Sequence, residues 1–410
     1  MSMLYHYQQQ LDKLNQVQQQ RQIPSLSHQG SQVIVDKQTL VNISSNDYLG
    51  IAADPTLQQQ FLSSINSSDT NIRFGSSSSR LLTGNSNELE QLEHDLEAWF
   101  ATAVSADTNV KQPTNEQDNT DTQMPSALVF NSGYHANVGL LPALTKLPLK
   151  TLILSDQLVH ASIIDGIRLS RCDYQIYRHN DHQHLRELIN AAGAEYQRII
   201  IVTESLFSMD GDYADLIDLV AIKHSDARVE LYVDEAHAVG VLGEYGLGLA
   251  EQTGTLMQID YLVGTFGKAF ASMGAYVFCH PTIKAWLINN MRPLIFSTAL
   301  PAINHAWTRF VLAKMTDYVS ARQRLHQMSS HLRAVIAHIS PISAVSDSHI
   351  VPYILGTNAA TLAKAMQLRQ AGFYALPIRP PTVPKNTSRI RLIINAGISD
   401  DEFEKLLNAL

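Results

Sequence analysis

Short, continuous apolar runs alternate with amphipathic stretches through the middle of the chain. Such runs are expected of strands that are covered on both faces, and they occur at residues 127–130, 151–154, 198–202, 229–233, 261–263 and 275–279. Helical periodicity lies among them, at residues 182–192, 213–224 and 281–291. The alternation predicts an α/β protein with a mostly parallel sheet and crossover helices, in which ligands bind at the carboxyl ends of the strands.

The pattern differs near the N-terminus. Apolar residues recur at three- and four-residue steps from Leu4 to Val17, which predicts one amphipathic helix closed by Arg21. Apolar runs at residues 32–35 and 40–43 then predict a β-hairpin.

A clear helix start precedes a polar stretch. Asn87, with Glu90 three residues on, resembles a capping box at the head of an apolar face. Residues from about 105 to 123 are polar and lack apolar periodicity, which predicts a surface insertion.

Beyond about residue 300 the pattern becomes that of a smaller α+β domain with an antiparallel sheet. It predicts helices over residues 303–338, 358–371 and 400–409, and strands over residues 350–355 and 389–394. The domains we predict are an N-terminal helix and hairpin in residues 1–45, a large α/β domain in residues 46–300 and the small domain in residues 301–410.

Composition limits the class of protein. Of the 410 residues, 45% are hydrophobic and 17% are charged, which is typical of a soluble globular protein. The net charge of −8 comes without a basic block, which argues against a nucleic-acid partner. Apolar runs stop short of the roughly 18 residues that span a bilayer, and no export signal is visible, so we expect a cytoplasmic protein without a membrane partner. The 2 cysteines provide no disulfide framework.

One lysine follows an apolar run and has an acid at the preceding strand end. Lys268 lies in residues 264–270 (GTFGKAF), and Asp234 directly follows the run 229–233. A lysine amine can form a Schiff base with the aldehyde of pyridoxal phosphate (PLP), and a carboxylate keeps the cofactor's pyridine ring protonated. The pair therefore indicates a PLP enzyme, with His237 as a candidate to pack beside the cofactor.

The phosphate of PLP needs backbone N–H groups at a helix start and hydroxyls nearby. Gly133 and Tyr134 end one apolar run and open a helix, so they are candidates for the phosphate and the ring. Thr265 and Ser208 are candidate hydroxyl donors.

Two other ligand classes fit less well. A nucleotide-binding P-loop is excluded, because its pattern needs glycine and a hydroxyl residue where this chain has Leu262 and Ala269. The histidines at positions 179, 182 and 184 resemble a metal cluster, but Asp181 is better explained as the N-cap of the next helix. No metal is therefore expected.

Four segments together match a known family. Residues 45–50 (SNDYLG), 203–212 (TESLFSMDGD), 234–237 (DEAH) and 265–268 (TFGK) resemble the signature segments of the α-oxoamine synthases, which are fold-type-I PLP enzymes. The similarity runs from about residue 21 to residue 406, interrupted mainly by the polar insertion. It implies a fold-type-I PLP transferase, PLP as cofactor and a homodimer with shared active sites.

Within the family, one segment narrows the expected substrates. Residues 378–384 (IRPPTVP) resemble the members that join L-alanine to a pimeloyl thioester in biotin biosynthesis, releasing carbon dioxide. The acyl partner this resemblance implies is pimeloyl-CoA or a pimeloyl carrier protein.

The resemblance assigns a role to each matching residue. It implies that Lys268 holds PLP and moves the proton at the substrate Cα, that Asp234 pairs with the pyridinium, and that His160 stacks on the ring. Further cofactor contacts are implied for Gly133, Tyr134, Ser208, His237, Thr265 and, toward the neighbouring subunit's phosphate, Thr298. Substrate contacts are implied for Arg391 at the amino-acid carboxylate, for Asn46 and His160 in the same pocket, and for Arg21 and Thr382 at the acyl group.

Two segments depart from the family. Residues 76–79 are serines where the family commonly has a glycine-rich loop, so the substrate channel is expected to differ. Residues 395–398 (NAGI) stand where the family usually has Thr-Ala-x-His, so that histidine's role does not carry over.

Three alternatives stay open on the sequence. A sister synthase would use glycine and another acyl-CoA, and an aminotransferase would bind PLP but release no carbon dioxide. A catalytically silent homologue would keep the fold as a partner-binding protein.

Overall fold

The computed structural model describes residues 3–52, 54–66, 72–106 and 123–410. The polar insertion predicted at about residues 105–123 lies, except for its ends, outside the described residues. The chain forms two compact units: a larger one of Thr56–Phe207 and Tyr213–Arg322, and a smaller one of Met1–Pro55, Ser208–Asp212 and Gln323–Leu410. The domain boundaries that we predicted at residues 45 and 300 stay a prediction.

The α-helices of the described residues are short to medium in length. In chain order they are α1 (Met3–Gln16), α2 (Pro55–Asn66), α3 (Asn87–Ala106), α4 (Gly133–Leu144), α5 (Ala161–Ser170), α6 (His182–Ala191), α7 (Leu216–Ser225), α8 (Leu249–Gln252), α9 (Pro281–Asn290), α10 (Arg292–Phe296), α11 (Ala302–Leu312), α12 (Val319–Ile339), α13 (Asn358–Gln370) and α14 (Asp400–Ala409). A π-helical turn spans Arg80–Gly84, and 3₁₀ turns span Leu256–Gln258 and Met315–Tyr318.

The strands fall into three sheets. In chain order they are β1 (Ser27–Gln29), β2 (Gln32–Val35), β3 (Gln38–Asn42), β4 (Ser126–Phe130), β5 (Thr151–Asp156), β6 (Asp173–Tyr177), β7 (Arg198–Glu204), β8 (Val229–Asp234), β9 (Tyr261–Thr265), β10 (Ala275–Cys279), β11 (Ile350–Gly356), β12 (Phe373–Tyr374), β13 (Pro377–Ile378) and β14 (Ser388–Ile393).

The larger unit is built on a seven-stranded sheet in the order β4-β10-β9-β8-β7-β5-β6. Strands β9, β8, β7, β5 and β6 run parallel to one another, and β10 runs antiparallel to both of its neighbours, β4 and β9. Every residue of β5 and β7 is buried, as expected of strands covered on both faces. The mostly parallel α/β sheet predicted from the apolar runs is therefore confirmed.

The smaller unit contains the other two sheets, β1-β2-β3-β12 and β11-β14-β13. The hairpin β2–β3 turns at Asp36 and Lys37, whose φ angles are +49° and +66°. Strand β12 extends this sheet by pairing Phe373 with Val41 in parallel, while β11, β14 and β13 form the predicted antiparallel sheet.

Two boundary predictions near helix ends were wrong. Helix α1 ends at Gln16, so Arg21 lies beyond it and does not close it. Helix α3 begins at Asn87, and the residue that caps it is Ser86, whose Oγ accepts the Leu89 N–H over 3.2 Å. The predicted cap was therefore one residue too late, and Leu89, three residues after Ser86, cannot complete a capping box.

Two predictions of whole elements were also wrong. The helix predicted over residues 303–338 is broken into α11, a 3₁₀ turn and α12, and Arg322 Nη1 donates to the Met315 carbonyl at the break over 2.9 Å. Strand β6 was not predicted, because four of its five residues are exposed at a sheet edge and form no apolar run.

Within the described ranges, no helix combines the length and the apolar character that crossing a membrane requires.

Candidate active site

The carboxylate of Asp234 lies at the end of β8 and is held by buried hydrogen bonds. Asn137 Nδ2, from α4, donates to Asp234 Oδ2 over 2.8 Å, and the Ala236 N–H donates to Oδ1 over 2.9 Å. Asn137 is itself fixed, because its Nδ2 also donates to Ser162 Oγ and its Oδ1 accepts from the Tyr232 hydroxyl over 2.5 Å. The network fixes the orientation of one carboxylate at a strand end.

A second buried carboxyl lies beside it. Glu204 ends β7 opposite Asp234 in the parallel register of β7 and β8. The residue is 3% exposed, it accepts the N–H of His160, and its Oε1 has no hydrogen-bond partner. Burial, reinforced by the charge of Asp234 and opposed by Lys268, raises the pKa of Glu204 to about 8. Glu204 therefore holds a proton at neutral pH.

His160 lies next to both acids as the N-cap of α5. Its Nδ1 accepts the Ser162 N–H over 3.2 Å, so the neutral imidazole carries its proton on Nε2. Desolvation lowers the pKa of His160, an effect that Asp234 opposes and Lys268 strengthens. Lys268 thus interacts electrostatically with both His160 and Glu204, and the predicted lysine, aspartate and imidazole lie in one cluster. His237 is buried in the turn after β8.

The predicted phosphate residues Gly133 and Thr265 lie together at the start of α4. A Cβ added to Gly133 would lie 3.7 Å from Thr265 Oγ1, so the first turn of the helix faces the hydroxyl at the end of β9. Thr265 Oγ1 donates to the Gly274 carbonyl over 3.0 Å, which fixes its position. A helix N-terminus beside a hydroxyl is a favourable phosphate site.

Two further predicted residues lie at the surface of the chain. Tyr134 is 50% exposed, and its hydroxyl donates to Asp165 Oδ2 over 2.8 Å. Thr298 is exposed, and its carbonyl accepts from Asn131 Nδ2 over 2.8 Å. The backbone of Thr298 is thereby tied to the exit of β4.

In the smaller unit, Arg391 joins two other predicted residues. Its Nη2 donates to Asn46 Oδ1 and its Nη1 to the Ser208 carbonyl, each over 2.9 Å. The Tyr48 hydroxyl donates to the same Asn46 oxygen over 3.3 Å. Burial lowers the pKa of Arg391, and Tyr48 opposes that shift. A guanidinium stays charged under these conditions, so the site holds a fixed cation.

The two residues assigned to the acyl group also lie together in the smaller unit. Arg21 Nη2 donates to Thr382 Oγ1 over 2.9 Å, although 361 positions separate them in the sequence. Both residues are exposed. Arg379, from the same segment as Thr382, donates to the Gln18 carbonyl close to Arg21 in the chain.

The segment that departs from the family, residues 395–398, anchors another loop. Asn395 Nδ2 donates to the Asp47 carbonyl over 2.7 Å, and the Ala396 N–H donates to the Tyr48 carbonyl over 2.9 Å. Where the family's histidine is missing, this chain therefore holds the loop that carries Asn46.

The three histidines considered as metal ligands are used separately. His179 Nδ1 lies 2.9 Å from Asp156 Oδ1, and His182 Nδ1 lies 2.7 Å from Asp218 Oδ2. Asp181 caps α6 by accepting the His184 N–H over 2.8 Å. In the part of the chain that the structure describes, no group of three or more His, Cys, Asp or Glu could hold a metal ion.

The residues of the larger unit fit PLP. They provide an amine, a carboxylate fixed at a strand end, and a helix start beside a hydroxyl. Beside them, Glu204 Oε1 is a buried oxygen without a hydrogen-bond partner.

Residues 38–410 match the sequence profile of the aminotransferase class I and II family. The chain belongs to this family. A protein of Pasteurella multocida provisionally named 8-amino-7-oxononanoate synthase is 50% identical over 408 residues, covering 100% of this chain and 99% of that protein. A Haemophilus influenzae protein with the same provisional name is 51% identical over 399 residues, covering 97% and 98%.

Two solved structures share the fold of this chain. The serine palmitoyltransferase of S. paucimobilis superposes with a TM-score of 0.83 at 24% identity, covering 100% of this chain and 97% of that one. The 8-amino-7-oxononanoate synthase of Francisella tularensis superposes with a TM-score of 0.67 at 24% identity, covering 90% and 96%. The predicted resemblance, the fold-type-I class, the PLP-dependent acyltransferase class and the PLP cofactor are confirmed.

Sequence reasoning gave no role to two residues of the cluster. Glu204 follows a buried apolar run in the same way as Asp234, and that position was the available signal. Asn137 had no such signal in the sequence, because its partner Asp234 is 97 positions away and the bond depends on how α4 packs.

Proposed function

We propose that the protein condenses L-alanine with a pimeloyl thioester to give 8-amino-7-oxononanoate, carbon dioxide and the thiol carrier, as a step of biotin biosynthesis. The observation that carries the proposal is the near-complete coverage, at about half identity, by relatives that bear this enzyme's name. The Arg21–Thr382 hydrogen bond supports it, because the family resemblance assigns both residues to the acyl substrate.

The residues of the larger unit would serve the amino acid at its Cα. Bound PLP supplies an electron sink for the bonds broken there. Lys268 would hold the cofactor and move the proton at Cα, and Asp234, oriented by Asn137, would pair with the cofactor's pyridine nitrogen. His160 would stack on the ring. The remaining cofactor contacts we propose are Thr265 and the Gly133–Tyr134 backbone at the phosphate, and Ser208 and His237 at the phenolic oxygen.

Arg391 would bind the amino-acid carboxylate and orient it. A guanidinium has five N–H donors in a fixed fork, and the described bonds to Asn46 and Ser208 hold it in place. Orientation matters because the carboxylate is later lost as carbon dioxide, and the bond that breaks must be aligned with the electron sink.

The overall chemistry balances without an oxidant or a reductant. The alanine Cα loses a proton and attacks the thioester carbonyl, the thiolate leaves and takes a proton, carbon dioxide departs, and Cα regains a proton. One proton released and two taken up leave a net uptake of one proton from solvent.

We also propose that two copies associate with shared active sites. Phe296 and Leu169 are 69% and 61% exposed around a groove of about 410 Å³ formed by residues of α4, α5, α9 and α10. Burying such side chains against a second copy would be favourable, and exposed Thr298 lies two residues beyond Phe296.

The direct test incubates the purified protein with PLP, L-alanine and either pimeloyl-CoA or pimeloyl carrier protein. Mass spectrometry should detect the amino ketone, in amounts equal to the carbon dioxide released from carboxyl-labelled alanine. The Lys268→Ala variant should lose the product and the visible band of the bound cofactor. Turnover of glycine with acetyl-CoA, without product from alanine, would instead identify a sister synthase; turnover without thioester would identify an aminotransferase.

A further inference from the structure

Two arginines of β14 hold the segment that carries Ser208. Residues two apart on a strand point to the same face, so Arg389 and Arg391 lie side by side. Arg391 Nη1 donates to the Ser208 carbonyl, and Arg389 Nη1 donates to the Met209 carbonyl over 3.0 Å and to Asp210 Oδ1 over 2.6 Å. Two consecutive carbonyls are therefore each fixed by a guanidinium from the same strand.

The Arg389 side of the Arg389–Asp210 pair is shielded from water. The side chains are 4% and 25% exposed, and Arg389 Nε donates to the Thr387 carbonyl over 3.0 Å. A buried guanidinium that loses its carboxylate leaves an uncompensated charge, so the geometry of such a pair is strongly constrained. The pair therefore fixes the turn that follows Ser208.

The far end of the turn is fixed too. Gly211 has a φ of +75°, and a Cβ there would lie 2.2 Å from the Ile350 carbonyl, so only glycine fits this close to β11. The Asp347 N–H donates to the Gly211 carbonyl over 3.2 Å. A turn held at both ends transmits a displacement of Asp210 directly to the Ser208 carbonyl.

We propose that Arg389 is a positioning residue for the amino-acid substrate. Through Met209 and Asp210 it sets the position of the Ser208 carbonyl, and that carbonyl aims the Arg391 guanidinium at the amino-acid carboxylate. The inference rests on the proposed function for the role of Arg391. Weakening the Arg389–Asp210 pair should loosen amino-acid binding and leave the proton transfer at Lys268 intact.

The test compares Asp210→Ala, Asp210→Asn and Arg389→Lys in the PLP-loaded protein. L-Alanine is titrated without thioester, and binding is followed by the change in the cofactor's visible spectrum. Because a small misplacement of an orienting group is costly, Asp210→Ala and Arg389→Lys should raise the alanine Kd and KM about tenfold and change kcat less than about threefold. Asp210→Asn keeps an acceptor oxygen and should recover most of the affinity.

Arg369→Lys is the matched control. Arg369 pairs with Asp36 at the β2–β3 turn of the same unit, over 2.8 Å, and touches none of the substrate residues. The Arg369→Lys variant should therefore leave the alanine titration unchanged. A purely structural role for Arg389 would lower the thermal midpoint without changing alanine affinity, and that result, or equal effects of Arg369→Lys and Arg389→Lys, would overturn the proposal.

A failure of the proposed function would look different. In that case the unsubstituted protein makes no amino ketone, while an α-amino acid still changes its spectrum. Glycine presents the same carboxylate, so the same variants titrated with glycine would still separate a positioning role from a structural one.

Discussion

Asp234 and Glu204 are adjacent carboxyls with different surroundings. Asp234 accepts from Asn137 and from the Ala236 N–H, whereas Glu204 Oε1 has no partner. Two acids this close in a low-dielectric setting do not both ionise easily, and the less well solvated one keeps its proton. The pKa of about 8 for Glu204 makes it the proton holder, beside the acid proposed to pair with the cofactor.

This difference predicts how the stability of the PLP-free protein depends on pH. The pKa of Glu204 is about 8 in the folded state against the ordinary 4.5, so the folded protein keeps a proton that the unfolded chain releases between those values. The stabilising contribution is complete below pH 4.5 and is lost as the pH rises through 8. Its slope is on the order of 1 kcal/mol per pH unit in the free energy of unfolding.

Glu204→Gln should remove that slope. Denaturant melts of the PLP-free protein at a series of pH values would measure it as the difference between the unsubstituted protein and the variant. Glu404→Gln, at an exposed position of α14, is the control and should leave the slope in place. A difference between wild type and Glu204→Gln that does not vary with pH would contradict the assignment of the proton to Glu204.

At the scale of elements, the sequence was informative where burial is uniform. Strands such as β5 and β7 are buried along their length, so their apolar runs identify them directly. The exposed edge strand β6 carries no such run, and at the break between α11 and α12 Arg322 donates to the carbonyls of Met315 and of distant Glu244. Both wrong predictions arise from tertiary structure, about which the local periodicity of a sequence gives no information.

The same distinction applies to the candidate site. Asp234 and Gly133 stand at a strand end and a helix start, and Lys268 follows β9 by three residues, so motif spacing was enough to predict them as site residues. The Asn137 bond to Asp234 and the Arg389 bond to Asp210 join positions 97 and 179 apart, and neither Asn137 nor Arg389 has a local signature. Long-range polar pairs of this kind are set by packing.

The start of α3 gives a test at this scale. Ser86 Oγ accepts the Leu89 N–H, so Ser86→Ala removes a cap from a helix that buries Leu92, Leu96 and Phe100. Loss of an N-cap hydroxyl costs roughly 0.5–2 kcal/mol, which chemical denaturation would detect. Asn87→Ala, the cap that sequence reasoning chose, is the comparison and should cost less. If Asn87→Ala lowered the free energy of unfolding more than Ser86→Ala, Asn87 would be the cap of α3, as predicted from the sequence.

At the scale of the whole molecule, the proposed dimer makes a prediction about two defective chains. If sites are shared, Lys268 of one copy and Thr298 of the other complete the same site. Lys268→Ala removes the lysine, and Thr298→Glu places a carboxylate against the phosphate. A mixed dimer then contains one site with both native residues and one site with neither.

Mixed dimers purified through two different affinity tags should therefore show about half the activity of the unsubstituted dimer, although each parent variant is inactive or nearly so. Pairing a chain that carries both substitutions with an unsubstituted chain is the control. With shared sites that dimer is inactive or nearly so, because each of its two sites contains one defective residue. With self-contained sites the pattern reverses: the first mixed dimer is inactive, and the control keeps half the activity because its unsubstituted chain is complete. The two dimers carry the same substitutions in the same number, so a difference in folding or stability does not explain opposite results.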